Sequence, residues 1–186
     1  AAVRDALAAD GAPSPAATAE KVVVEHTNIN PNKAAHVGHF RNACLGDTVV
    51  RILRRLGHRV EVQNYIDDTG VQVADVVVGL HFLTPPPQGD TPFDRYCSDV
   101  YVAVQQAYAD DPSLVARRRE VQAAVEAGAG PLAAIVHDVA TRIVAANLAT
   151  MARASIGYDL LTWESHILGL GFWSAAFERL RDGGVI

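Results

Sequence analysis

The segment from Val22 to Leu56 constrains the fold most strongly, because it has the pattern of a strand, a polar loop and a helix in that order. It begins with three consecutive valines, which are typical of a strand buried in a parallel sheet. From Arg41 onward, leucine, valine and isoleucine recur at helical spacing. We therefore predict a parallel strand followed by a helix, with the polar loop at the sheet edge where α/β proteins bind ligands.

The polar loop brings Lys33, His36 and His39 to the entrance of the helix. Unpaired N–H groups and the positive end of the helix dipole lie at such an entrance, so these side chains would complete an anion site, with phosphate as the expected ligand. The two histidines are three residues apart and share one side of the first turn. Gly38 between them has no side chain to block a flat ligand such as a nucleotide. A bare H-x-G-H pattern is more often explained by capping and packing, so the flanking residues decide its meaning.

A second strand and a second helix follow the first helix. Gly57 stands where a helix-ending glycine is expected, and residues 59–65 alternate like a strand. Together they would complete a β-α-β unit with parallel strands. Asp67 and Asp68 precede a helical pattern that starts at Val71, so we predict that they cap this helix, with a metal site as the alternative.

The rest of the chain is predicted to be mainly helical. A proline-dense segment at 84–92 excludes regular structure and marks a boundary. Three helices are predicted after it, at 93–108, 113–127 and 131–156, and they form a helical insertion. Gly157 would cap the third, residues 158–163 would form a returning strand, and residues 171–181 another helix.

Composition and charge exclude several kinds of protein. The formal net charge is −5, which argues against non-specific binding of DNA or other nucleic acid. Cys44 and Cys97 form no C-x-x-C pattern, so we predict neither a disulfide framework nor a zinc ribbon, and reduced thiols fit the cytoplasm. No apolar run approaches the roughly 20 residues of a membrane span. The three arginines at 117–119 are interpreted as a solvated helix face, with phosphate contact as the alternative.

Several blocks of the chain are similar to one family. The first block has E-x-x-x-x-N-x-x-K before H-V-G-H, with R-N shortly after it. It resembles the signature region of class I aminoacyl-tRNA synthetases, and specifically that of the arginyl-tRNA synthetases. The match continues through L-G-D-T-V-V-R-I-L-R-R-L-G-H and N-Y-I-D-D-T-G-V-Q-V-A-D, and more weakly through Y-D-L-L-T-W-E-S-H. The resemblance implies an α/β fold with a Rossmann-like parallel sheet, the first half of a class I synthetase catalytic domain, and a helical insertion.

The resemblance also implies an activity. Arginine–tRNA ligases convert arginine and ATP, bound with Mg²⁺, into arginyl adenylate and then transfer the arginyl group to tRNA(Arg). The implied catalytic residues are His36, His39 and Lys33, which would also bind ATP together with Gly38. The family pattern around the lysine is usually K-P-x-H, and because this chain has Ala34 in place of the proline, we expect a looser turn. No tightly bound cofactor, resident metal, DNA or membrane partner is expected.

The implied amino-acid pocket lies at the end of the first strand. Arginine is a cation with a planar fork of donors, so its pocket needs carboxylates and amide oxygens. Glu25 and Asn30 match family positions that contact the amino acid, and Thr27 stands where the family often has serine. Further residues that would line the crevice come from the D-D-T-G-V-Q loop: Asp68, Gly70 and Gln72.

A complete enzyme of this family has further parts, which include a second half of the sheet with a K-M-S-K-type loop and an anticodon-binding domain. We therefore interpret the chain as a fragment with little activity alone. Its predicted parts are an approach segment and linker (1–20), the first half of the catalytic domain (21–83), the insertion (84–156) and a truncated return (157–186). Two alternatives stay open: an H-x-G-H nucleotidylyltransferase acting on a small substrate, and a non-catalytic synthetase-like module.

Overall fold

A computed structural model describes residues 20–186 of the chain. These residues form three strands and seven helices: β1 (Lys21–Glu25), α1 (Val37–Arg55), β2 (Arg59–Ile66), α2 (Val71–Phe82), α3 (Phe93–Asp110), α4 (Ser113–Ala127), α5 (Pro131–Ala152), β3 (Leu160–Trp163), α6 (Glu164–Gly169) and α7 (Phe172–Asp182). The approach segment predicted for residues 1–20 lies outside the described residues, except for Glu20.

The three strands form one parallel sheet in the order β1-β2-β3. Lys21 pairs with Arg59 at one end of the first ladder, and Ile66 pairs with Trp163 at the end of the second. The predicted parallel pairing of the first two strands is therefore confirmed. Because all three strands run in the same direction, the loops that follow them meet at one edge of the sheet. The H-x-G-H loop, residues 67–70 and the start of α6 come together there.

Helix α1 begins and ends at residues that the sequence indicated. His36 is the N-cap: its side chain accepts a hydrogen bond from the Gly38 amide, and the His39 side chain accepts one from the His36 amide. This reciprocal arrangement is a capping box. At the other end Leu56 is the C-cap, and Gly57 has a φ of +88°, which glycine adopts without strain. The predicted helix-ending role of Gly57 is confirmed.

Helices α3, α4 and α5, which we call the helical region, pack around α2. Side chains from α2, α3, α4 and α5 form one apolar core, which includes Val73, Val76, Val77, Val78, Cys97, Val104, Val121, Val139 and Ile143. Burying a valine in such a core contributes about 1.5–3 kcal/mol. The segment that follows β2 is therefore tied to the helices that come after it by a continuous hydrophobic core.

The end of α5 differs from the prediction. The helix ends at Ala152 with Arg153 as its C-cap, and Ser155 takes the left-handed φ of +58°. Gly157 lies beyond this turn, so its predicted capping role is wrong. The guanidinium of Arg51 donates to the Ser155 carbonyl at 3.0 Å, which ties the turn to α1. The six-residue helix α6 was not predicted, because so short a helix has no readable periodicity.

Helix α5 is long and apolar enough to cross a membrane by length and composition: it has 22 residues, and an 18-residue stretch of it has a mean hydropathy of 1.4. Asp138 and Arg142 interrupt its apolar residues, so this helix does not contradict the prediction that no continuous apolar run approaches the length of a membrane span. In the fold, Val139 and Ile143 of α5 lie in the helical core. The same helix carries an exposed ion pair between Asp138 and Arg142, 3.7 Å apart. We interpret α5 as a core helix of the bundle.

A buried carboxylate joins three of the helices. Asp75 of α2 is 3% exposed and accepts hydrogen bonds from the Tyr108 hydroxyl and from the Gln105 amide, the latter at 2.8 Å. The Arg118 guanidinium lies 3.8 Å from the same carboxylate and 5.1 Å from the centre of the Tyr108 ring. Burial and the bond to Asp75 raise the pKa of Tyr108. The interpretation of Arg118 as part of a solvated face is therefore wrong, because its partner is a buried charge.

We expect Asp75→Ala to lower the free energy of unfolding by about 2 kcal/mol, because the substitution leaves Tyr108, Gln105 and Arg118 without their buried acceptor. Urea unfolding of the purified chain measures this change. Asp99→Ala is the matched control, since Asp99 pairs with Arg95 at 3.8 Å on the exposed side of α3. The control should change stability by less than about 0.5 kcal/mol. Equal effects of the two variants would contradict the assignment of Asp75 as a buried anchor.

Candidate active site

Two stacked imidazoles mark the entrance of α1. The ring centroids of His36 and His39 are 3.7 Å apart and the ring planes make an angle of 20°. Nδ1 of His36 accepts from the Gly38 amide at 3.1 Å, and Nδ1 of His39 accepts from the His36 amide at 3.3 Å. In a neutral imidazole, a nitrogen that accepts leaves the other to carry the proton. Both rings are therefore arranged to donate through Nε2.

The surroundings of His39 favour this neutral form. Burial lowers the pKa of His39, and the nearby charges of His36 and Lys33 lower it further. Lys33, three residues before His36, adds a cation to the same loop. A cation and two N–H donors at a helix entrance form a site suited to phosphate oxygens.

Gly38 lies directly against the first of these rings. A Cβ built at Gly38 would stand 3.1 Å from Cε1 and 3.2 Å from Nδ1 of His36. A side chain there would press on the ring that caps α1. Glycine at this position therefore protects the cap geometry, in addition to the predicted space for a nucleotide.

Glu25 stands at the carboxyl end of β1, as the sequence indicated, and its side chain is exposed. Its Oε1 accepts from the Asn28 side-chain amide at 2.8 Å. Asn28 is fixed in turn. Its Oδ1 accepts from the Tyr65 backbone amide at 3.0 Å, and its backbone N–H donates to Oδ1 of Asn64 at 3.0 Å. Asn28 has a φ of +47°, a left-handed conformation that asparagine tolerates. The support that Asn28 gives to Glu25 was not predicted from the sequence.

Thr27 lies under the loop. It is 8% exposed, and its hydroxyl bonds to the Tyr158 hydroxyl at 2.6 Å and to Nδ1 of His26 at 2.9 Å. Its φ of +82° is unusual for a β-branched residue. These contacts give Thr27 a structural task, and its role in binding arginine stays a prediction.

The loops after β1 and β2 meet through their amides. The Asn30 side chain donates to Oε1 of Gln72 at 3.2 Å, which brings together two residues predicted to face the same crevice. Gly70 is the N-cap of α2, and a Cβ there would lie 2.7 Å from Oδ1 of Asp67. A larger residue at this position would therefore push into the Asp67 carboxyl group.

Asp68 has a different role from the one predicted. The N-cap residue of α2 is Gly70, and no side chain caps that helix. Asp68 is 3% exposed, and its Oδ1 accepts from the Ser165 amide of α6 at 3.0 Å. The prediction that Asp67 and Asp68 cap α2 is therefore wrong. Asp68 instead supports the first turn of a helix that lies 97 residues away in sequence.

A second carboxyl group at the same edge belongs to Glu164, which directly follows β3. It accepts hydrogen bonds from Thr69, Asp67 and Tyr65, which lower its pKa against the effect of burial. Burial, the bond to Glu164 and its charge raise the pKa of Asp67 to about 6. Burial and Glu164 likewise raise the pKa of Tyr65 to about 12. Glu164 was not predicted as a site residue, although its place directly after a parallel strand is a signal.

Because Asp67 and Glu164 interact, we expect the free energy of unfolding to depend on pH. The folded pKa of Asp67 lies above its ordinary value of 3.8, so its stabilising contribution is full below pH 3.8 and is lost as the pH rises through about 6. Asp67→Asn keeps a neutral donor to Glu164 at every pH. We expect the variant to be more stable than the parent at pH 8, by about 1 kcal/mol after allowance for solvent screening, with little difference at low pH.

Urea unfolding at both pH values measures the difference between Asp67→Asn and the parent. Asp138→Asn, at an exposed aspartate of α5, controls for the loss of one negative charge. A stability difference between Asp67→Asn and the parent that does not change with pH would contradict the assignment of Asp67 as the protonated donor to Glu164.

No group of three or more His, Cys, Asp and Glu side chains that could hold a metal ion occurs within residues 20–186. The polar side chains at the carboxyl edge of the sheet are hydrogen-bond donors and acceptors, several of which bond to one another or to nearby backbone amides. Such an arrangement suits an anionic ligand at α1 and a cationic one at the end of β1.

A parallel sheet with the H-x-G-H helix entrance at its carboxyl edge defines the nucleotide-binding part of a class I synthetase. The chain belongs to the family of tRNA synthetases class I (R), catalytic domain, whose family model matches residues 2–164. The resemblance to the arginine enzymes is therefore confirmed, and so is the Rossmann-like fold class.

Curated relatives support the same family. The chain is 40% identical to the arginine–tRNA ligase of Thermococcus kodakarensis, over 85% of this chain and 26% of that protein. It is 41% identical to the arginine–tRNA ligase of Deinococcus radiodurans, over 86% of this chain and 25% of that protein. The chain thus spans about a quarter of the length of these relatives.

Solved structures agree. Arginyl-tRNA synthetase of Thermus thermophilus matches with a TM-score of 0.79 at 38% identity, over 97% of this chain and 29% of that one. The Plasmodium falciparum arginyl-tRNA synthetase matches with a TM-score of 0.67 at 16% identity, over 89% of this chain and 28% of that one, which supports the fold alone.

Proposed function

We propose that this chain supplies the H-x-G-H part of an arginine–tRNA ligase active site. The observation that carries the proposal is the pair of stacked imidazoles at the α1 entrance, whose Nδ1 atoms are both engaged as acceptors. Their Nε2 donors and Lys33 suit the α-phosphate of ATP, which binds as its Mg²⁺ complex.

In the first step, the arginine carboxylate attacks the α-phosphorus of ATP. A carboxylate O–P bond forms and the bond from the α-phosphorus to the bridging oxygen breaks, so pyrophosphate leaves and arginyl adenylate remains. Negative charge builds on the phosphate oxygens in the transition state. Preorganised hydrogen-bond donors beside these oxygens accelerate the reaction because they stabilise the transition state more than the ground state. We assign His36, His39 and Lys33 to this task.

In the second step, a hydroxyl of the terminal ribose of tRNA(Arg) attacks the carbonyl carbon of the adenylate. The new ester bond forms as the bond from the carbonyl carbon to the phosphate oxygen breaks, so AMP leaves and the hydroxyl proton is released with it. The chain has no strong basic character, with a net charge of −5, so its tRNA contacts would be local.

Glu25 would recognise the arginine side chain. Its carboxylate lies at the end of β1 and is held by Asn28. Asn30 and Gln72, which bond to each other at 3.2 Å, would supply amide groups beside it, and Thr27 would support the loop from below. Asp68 and Gly70 would shape the crevice wall.

Because the chain spans about a quarter of its relatives, we propose that aminoacylation needs the remaining parts that those proteins contain. The 186-residue chain alone should charge tRNA poorly. We further propose that the protein acts in the cytoplasm, where arginine, ATP and tRNA(Arg) meet.

Exchange of labelled pyrophosphate into ATP, with and without arginine and tRNA, tests the proposal in the protein of natural length. Arginine-dependent exchange is the expected result. Exchange that depends on another small substrate would favour a nucleotidylyltransferase, and no exchange with any substrate would favour a non-catalytic module. Robust charging by the purified 186-residue chain would show that the remaining parts are not required.

A further inference from the structure

Two side chains of the helical region hold the loop that carries Lys33 and His36. The Ala34 amide donates to Oγ of Ser98 on α3 at 2.9 Å, and the Ala35 amide donates to Oδ1 of Asn147 on α5 at 3.0 Å. Nδ2 of Asn147 also donates to the Lys33 carbonyl at 3.3 Å. We call Ser98 and Asn147 the loop clamp. Three hydrogen bonds thus hold this turn, and the expectation that it is looser than the usual proline-containing turn stays a prediction.

Other contacts and burial orient the two clamp side chains toward the loop. The Ser98 hydroxyl donates its proton to the Asp94 carbonyl at 2.9 Å, which leaves its oxygen to accept from Ala34. Asn147 is 6% exposed, and its amide both accepts from and donates to the loop, so it fixes two peptide groups at once. Ile29, at the start of the loop, packs with Met151 of α5. The loop is therefore anchored to the same helix at two places.

The clamp uses a donor that the usual family pattern lacks. A proline at position 34 would have a fixed φ and no N–H group. Ala34 has a free φ and an N–H group, and the N–H group is bonded to Ser98. In this chain the hydrogen bond between Ala34 and Ser98 thus restrains the turn, as a proline ring at position 34 would do in the usual family pattern.

We propose that Ser98 and Asn147 are positioning residues of the nucleotide site. They fix the peptide groups of residues 33–35 and thereby place the Lys33 ammonium and the His36 ring for phosphate binding. Catalysis of phosphoryl displacement depends mainly on such placement, and small misplacements are costly. The inference rests on the proposed function for its catalytic consequence, whereas the clamp itself can be measured without activity.

Amide hydrogen exchange of the purified chain tests the clamp. Ser98→Ala should speed exchange of the Ala34 amide, and Asn147→Leu that of the Ala35 amide, each by about 10-fold, which is the loss expected for one hydrogen bond. Ser98→Thr keeps the hydroxyl and should preserve protection. Ser113→Ala, which removes a hydroxyl bonded only locally to Asp111, is the control and should leave both amides unchanged. Unchanged exchange in Ser98→Ala and Asn147→Leu would overturn the proposal.

Kinetics of the protein of natural length test the positioning role. Ser98→Ala and Asn147→Leu should lower kcat for arginine-dependent pyrophosphate exchange or raise the KM for ATP by about 10-fold, with the KM for arginine unchanged. Ala34→Pro added to Ser98→Ala should restore activity, because it removes the unpaired N–H and fixes φ. If the amides lose protection while kcat and the KM for ATP stay at parent values, the clamp is only structural and the proposal fails.

The two hypotheses fail in different ways. A parent protein without arginine-dependent exchange would sink the proposed function, while the amide measurements would still decide whether the clamp holds the loop. If the parent protein shows arginine-dependent pyrophosphate exchange and the clamp variants match it in both the amide and the kinetic measurements, the inference is contradicted and the proposed function is not.

Discussion

Replacing His39 by alanine in the protein of natural length should lower kcat for arginine activation by about 10²-fold or more, which is the loss expected for a preorganised donor to developing charge. The KM for arginine should change little, because in the proposed role the ring would contact the phosphate and not the amino acid. The structure supports this separation: Nδ1 of His39 is taken by the His36 amide at 3.3 Å, so Nε2 is the donor. His36→Ala should have a similar effect on kcat.

His39 also belongs to the capping box of α1, so a loss of activity could come from a loosened helix end. Two further variants separate these causes. His39→Asn offers an oxygen that can accept from the His36 amide but has no donor at the position of Nε2, and it should be nearly as slow as the alanine variant. His39→Gln places an amide donor near the position of Nε2 and should recover part of kcat. An unaltered kcat in His39→Ala would remove the catalytic assignment.

Lys33 should behave like the histidines and also affect ATP binding, since a point charge attracts the triphosphate before and during displacement. Its backbone carbonyl is held by Asn147, so the position of its Cα is set by the fold and its side chain remains able to reach a ligand. A raised KM for ATP together with a lowered kcat therefore distinguishes Lys33→Ala from the histidine variants.

The sequence predicted elements well where the signal was local. The strand, loop and helix around the H-x-G-H motif, the cap at Gly57 and the helix at 113–127 depend on residues a few positions apart. The same periodicity did not predict which side of α1 is buried. Leu45 and Ile52 are 53% and 54% exposed, whereas Ala43 and Val50 are buried. A periodic stripe identifies an apolar face of a helix, but not the surface that covers it.

Several of the misses share a physical cause, which is that the partner lies far along the chain. Asp68 precedes a helix but bonds to Ser165, 97 residues away, and the local capping rule could not foresee that contact. The arginines at 117–119 were predicted to be solvated, but Arg118 lies beside the buried Asp75. The loop clamp bridges 64 and 112 residues. Such contacts exist only after the helical region has folded against the sheet.

Glu25→Gln should raise the KM for arginine by about 10²-fold and leave kcat and the KM for ATP nearly unchanged, because an uncharged amide cannot form the charge-assisted pair with a guanidinium. The geometry favours this role. Glu25 is exposed at the carboxyl end of β1, and one oxygen accepts from Asn28 at 2.8 Å. A carboxylate has two oxygens with about four acceptor sites, so that bond leaves room for a guanidinium fork.

Discrimination against citrulline, a neutral analogue of arginine, is the sharper measurement of the Glu25 assignment. The parent should prefer arginine strongly, and Glu25→Gln should lose most of that preference, since the carboxylate is what distinguishes a cation from a neutral side chain. Glu61→Gln is the matched control: it makes the same change on the neighbouring strand, where Glu61 pairs with Lys21 at 3.0 Å. If both glutamine variants keep the parent KM for arginine, the cation is recognised elsewhere and Glu25 only steadies Asn28.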